Sequence, residues 1–100
     1  MSDMKLHEFE AILRDASKEA DRIALSRKLS GAEGNCVVVP AFTSRQKSIA
    51  TRLGADVDER GLVFTPHDTR IPPTYPHLRA VWVVVFADYL TSMGLSATVH

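Results

Sequence analysis

Pro76-His-Leu-Arg-Ala-Val-Trp-Val-Val-Val-Phe-Ala-Asp-Tyr-Leu-Thr-Ser-Met-Gly94 admits two structural readings. Its centre, Val81-Trp-Val-Val-Val-Phe86, has the β-branched and aromatic composition of a strand. Leu78, Val81, Trp82, Val85, Phe86, Tyr89, Leu90 and Met93 nevertheless recur at helical spacing. Pro76 suits a first helical position and Gly94 a stop, and so long a run without a turn signal exceeds an ordinary strand. The stretch is therefore expected to be a helix over 76–94. Val83, Val84 and Ala87 fill its remaining side, so it is apolar nearly all round, which predicts a central helix or one covered by a partner. The uncharged run Ala80–Ala87 falls far short of the ~20 residues a bilayer requires, so no membrane span or membrane partner is expected.

Upstream, residues 1–30 carry an amphipathic helical stripe, Leu6, Phe9, Leu13, Ala16, Ala20 and Ile23, in alternating steps of three and four. Ser2 or Asp3 can cap its start, Glu10 and Arg14 form a favourable pair one turn apart, and Gly31 offers a stop. Small Ala16 and Ala20 in mid-stripe suit close helix pairing. The stripe thus reads either as packing on its own core or as an interface with a second copy or a partner.

Between the helices lies a strand-helix-hairpin unit over 36–66. Cys36-Val-Val-Val39 is a short buried strand stopped by Pro40, and Thr43 or Ser44 caps a helix running to Leu53 before Gly54. Ala55-Asp-Val57 and Leu62-Val-Phe-Thr65 flank a turn at Asp58–Gly61. A connection holding Pro66, Pro72, Pro73 and Pro76 is neither helix nor central strand. The expected fold is α+β, one domain over 1–100, with a small three-stranded sheet covered by a short helix and by long N-terminal and apolar C-terminal helices.

Composition narrows function. Twelve Lys plus Arg balance twelve Asp plus Glu, so no global field steers the chain toward nucleic acid. Cys36 is the one cysteine and cannot form an internal disulfide, which suits a reducing, cytoplasmic setting. Met1–Lys5 leads into an amphipathic stretch rather than the apolar core of a secretory signal.

Among chemistry-bearing residues, His67, Asp68, Arg70, Tyr75 and His77 share the proline-rich connection, but no H-x-x-x-H or H-E-x-x-H spacing supports a metal site, and no third group orients a base. No basic residue lies within five positions of Cys36, which reads as a core cysteine. Asp88 reads as an exposed residue on the narrow polar side of its helix, with Thr91 and Ser92. No catalytic residue, cofactor or metal is expected. The start of the middle helix is the best anion site: Thr43, Ser44, Arg45, Lys47 and Arg52 combine helix N-terminal amides, two hydroxyls and three cations without an acid in the same helix.

Val39, Pro40, Lys47, Ala50, Leu53, Gly54, Ala55, Asp58, Phe64 and Pro66 stand in the order strand, Val-Pro, basic helix, Leu-Gly-Ala, Asp, aromatic strand, Pro. In this pattern the segment resembles a short module of unknown function that recurs on plasmid-borne DNA primases, relaxases and antirestriction proteins. Val57 stands where that module has tryptophan, and Phe64 where it has an aromatic pair. The resemblance implies the same small hairpin fold and a mobile-element or phage setting. The expected function is a noncatalytic interaction module, an accessory or inhibitor docking on a larger protein or complex, with homodimerisation through the Leu6–Ile23 stripe. The alternative is a phosphate or nucleic-acid binding domain using the helix over 43–53.

Overall fold

The computed structural model describes residues 5–26, 31–66, 71 and 74–100. Along the chain run α1 (Leu6–Ser26), β1 (Val37–Val39), α2 (Ser44–Arg52), β2 (Asp56–Asp58), β3 (Gly61–Phe64), α3 (Pro76–Ser92) and β4 (Thr98–Val99). The α+β class is as expected. The sheet differs: it has four antiparallel strands in the order β2-β3-β1-β4 instead of three. The added strand is only two residues long, and no alternation in Thr98–Val99 announces it. It forms because β1 has a free edge on which Val37 can pair with Val99, continued by Cys36 and His100 exchanging backbone hydrogen bonds at 3.0 and 2.9 Å.

The hairpin is shifted from its expected limits, with Asp58 opposite Gly61 and only Glu59-Arg60 between the strands. Gly61 lies at φ 134°, where its α-carbon passes against the backbone of Val39 and Pro40. Strand alternation then sorts the side chains. Val37, Val39, Leu62 and Phe64 face the main core, and Cys36, Val38 and Val63 form a second small buried cluster.

The stretch expected as a helix over 76–94 is one, bounded at Pro76–Ser92, with Pro76 in its first turn and Met93 as C-cap. Its all-round apolar character has an internal cause. It packs along α1 and also against β1 and β4, so Leu78, Val81, Trp82, Val83, Phe86, Ala87 and Leu90 are all buried. Trp82 and Phe86 stack at 4.7 Å, and Phe86 leans on Phe64 at 5.1 Å, which ties the helix to the sheet. Each such large apolar side chain contributes about 1.5–3 kcal/mol on burial.

Against α3 lies the α1 stripe. Phe9, Leu13, Ala16 and Ala20 are between 0% and 3% exposed, and Leu6 and Ile23 at its ends are half-buried. Of the two readings of the stripe Leu6, Phe9, Leu13, Ala16, Ala20 and Ile23, packing on its own core is the one its four buried residues follow, in place of an interface through them. The two alanines let α1 approach α3 of the same subunit, and that contact fills the seam a second copy would have used. No helix among the described residues is long and apolar enough to cross a membrane.

Candidate functional site

The expected anion site on α2 is only partly assembled. Thr43 is the N-cap, and its hydroxyl accepts the Gln46 N–H at 3.1 Å while Gln46 Oε1 accepts the Thr43 N–H at 2.9 Å. This reciprocal box takes up the Thr43 and Gln46 backbone N–H groups, two of the donors at the helix start that were expected to meet an anion. Arg52 is committed as well: its Nη2 donates to Glu10 of α1 at 2.7 Å. The acid missing from α2 itself thus arrives from another helix. Ser44, Arg45 and Lys47 remain exposed.

His67, Asp68 and Arg70 lie outside the described residues. His77 is exposed on the first turn of α3, its ring edge-on to Tyr75 at 6.1 Å. Among the described residues no group of three or more His, Cys, Asp or Glu is arranged to hold a metal ion. Asp88 is exposed. Cys36, with no base near it in sequence, has one in space: the hairpin folds Arg60 over the sheet, and its Nη1 donates to Cys36 Sγ at 3.8 Å. The Arg60 guanidinium is held mainly by Asp58, at 2.9 and 3.1 Å, and the Arg60 backbone N–H donates to the same carboxylate at 2.8 Å.

The place where polar and apolar groups converge is a cleft of about 320 Å³ beside α1. Leu13, Arg14, Ser17, Lys18 and Asp21 of α1 form one wall. They share it because steps of three and four return to the same side of a helix. Leu53, Gly54 and Ala55, where α2 ends and turns into β2, line it too, as do Phe64 of β3 and Thr65 just after it. Trp82 and Phe86 complete it from α3. The rings are 2–6% exposed, so they offer edges to the cleft and are chiefly core.

Charge in the cleft is ordered. Arg14 and Lys18 stand one turn apart, both exposed. Glu10 holds Arg14 at 3.6 Å and Arg52 at 2.7 Å, gathering cations of two helices around one carboxylate. Asp21 lies two turns from Arg14, about 10 Å along the axis at 1.5 Å per residue. Its carboxylate accepts the Trp82 indole N–H at 3.0 Å. The C-terminal pole of α2 adds partial negative charge near Gly54, and its last carbonyls accept from Leu53, Gly54 and Ala55. Along α1 the wall of the cleft thus runs from the Arg14 and Lys18 cations to the Asp21 carboxylate, while the Arg52–Glu10 pair ties the end of α2 to the Arg14 end.

Sequence reasoning did not find this site. Its residues come from four separate elements, and the one local signal, Arg14-x-x-x-Lys18, is an ordinary solvated helix face until α2 and β3 are brought beside it. No family model matches the chain, and no curated protein or solved structure matches it.

Proposed function

We propose that this chain is a noncatalytic recognition module that docks on a larger protein or complex, and that it does so through the cleft beside α1. The observation behind this reading is the composition of the cleft: two exposed cations one turn apart over an apolar floor, with Asp21 engaged by an indole. Such a set orients an anionic group of a partner and offers its neighbour an apolar seat. The likeness of Val39–Pro66 to the module of plasmid-borne primases, relaxases and antirestriction proteins supplies the setting. There the chain is an accessory or inhibitor on a mobile element or phage, acting on a replication, transfer or host-defence machine.

Affinity capture from the source cell with two baits tests this reading: the wild-type chain and an Arg14→Glu/Lys18→Glu variant. Both positions are exposed, so the variant keeps its fold, which circular dichroism verifies. Proteins retained by the first bait and lost by the second are the expected result. Identical captured sets, or none with either, overturn the reading.

A second reading, phosphate or nucleic-acid binding by α2, rests on exposed Ser44, Arg45 and Lys47 at its first turn. It requires oligonucleotide binding that weakens with salt and is lost in Arg45→Ala/Lys47→Ala. Binding unchanged by that pair ends it.

A further inference from the structure

We infer that the cleft beside α1 is a receptor for an extended acidic peptide carrying one apolar anchor, with the carboxylates at the Arg14 and Lys18 end. The inference rests on the docking role proposed above and specifies the chemistry of the docked segment.

Size sets the first limit. A cleft of about 320 Å³ is at the small end of ligand sites, which span roughly 300–1,000 Å³. It admits one side chain and the groups on either side of it. The distance of about 10 Å from Arg14 to Asp21 equals three residues of extended chain at about 3.3 Å each.

Charge order sets the second. Arg14 and Lys18 attract a carboxylate, and Glu10, shared between Arg14 and Arg52, leaves cations in excess at that end. At the other end the Asp21 carboxylate, which accepts the Trp82 indole N–H, supplies negative charge that attracts N–H donors. A peptide brings both, with acidic side chains and a row of backbone N–H groups in one molecule. A nucleotide brings phosphate charge that the Asp21 end repels. The apolar anchor is required by Leu13, Leu53 and Phe86, which border the cleft with no polar side-chain group to engage.

Trp82 is the only tryptophan in the chain and lines the cleft, so its emission reports occupancy directly. Three nonapeptides with a Gly-Ser frame are titrated, centred on Glu-Leu-Glu, Glu-Ser-Glu and Lys-Leu-Lys, with AMP as a further probe. Glu-Leu-Glu is expected to shift Trp82 emission and to bind at least about tenfold more tightly than either other peptide. Arg14→Glu/Lys18→Glu is expected to weaken it at least about tenfold. Equal affinity for all three peptides, preference for AMP, no binding at all, or a doubling of mass in light scattering that occupies Trp82 instead, each overturns the inference. If the peptides fail while partner capture still depends on Arg14 and Lys18, docking stands and the peptide chemistry falls. If Glu-Leu-Glu binds while capture ignores both residues, the docking role falls.

Discussion

The indole Nε1 of Trp82 donates to the carboxylate of Asp21 across 3.0 Å, joining α3 to α1 over 61 positions of sequence. This bond explains how a polar indole edge is accommodated in a residue only 2% exposed. It also holds the Asp21 end of the cleft in place.

Replacing Asp21 by leucine removes the acceptor and leaves the indole N–H without it. A loss of about 1–3 kcal/mol is expected, against less than about 1 kcal/mol for Asp21→Asn, which keeps an oxygen at the same position. Urea denaturation followed by circular dichroism measures both. Equal losses would show that the bond contributes nothing beyond shape.

Filling the α1–α3 seam tests the packing role of the stripe. Ala16→Leu or Ala20→Leu inserts a branched side chain where exposure is 0%, and overpacking of this kind costs about 1–3 kcal/mol. The denaturation midpoint is expected to fall with the same slope. A stability gain accompanied by a change in solution mass would return these residues to an intermolecular interface.

At the hairpin, Gly61→Ala sets a β-carbon 2.7 Å from the Pro40 α-carbon and closer still to the Val39 carbonyl oxygen, at a backbone angle L-residues rarely adopt. Gly94 also has positive φ but open space around it. Gly94→Ala is expected to cost about 1 kcal/mol from backbone strain alone, and Gly61→Ala several times more. Comparable midpoints for the two would mean that the β1–β3 approach is not close.

Acid should act on the hairpin end. The Asp58 carboxyl is held below its ordinary value first by the Arg60 guanidinium hydrogen bond and then by the Arg60 backbone N–H. A depressed folded value means that the contribution is complete above the unfolded pKa and disappears as pH falls through the folded one. The contribution of the pair is therefore intact at neutral pH and lost only on the acid side of the usual aspartate range. A carboxyl NMR titration of wild type, with Arg60→Ala as control, should return Asp58 toward its ordinary value in the variant. An unmoved titration would exclude the pairing.

Local chemistry accounts for much of what could be read in advance. The three-and-four rhythm of Leu6–Ile23, the threonine cap at Thr43, the Gly61 turn and the Pro76 start are signals complete within a few residues, and each gave its element. Arg52 shows the limit. On its own helix it has no acid, and only the packing of α1 on α2 supplies Glu10. Arg60 and Cys36 are likewise strangers in sequence and neighbours across the sheet.

From the order of its residues alone, this chain is committed to three helices and a hairpin, because helical periodicity, caps and turn glycines act over one or two turns of backbone. Tertiary packing alone decided that the apolar stripe of α1 would be covered by α3, that Thr98–Val99 would complete the sheet on β1, and that Arg14, Lys18 and Asp21 would border a cleft. The reason is physical. Those outcomes depend on which surfaces meet after the loops close, and apolar burial is non-directional, so no single segment encodes its partner.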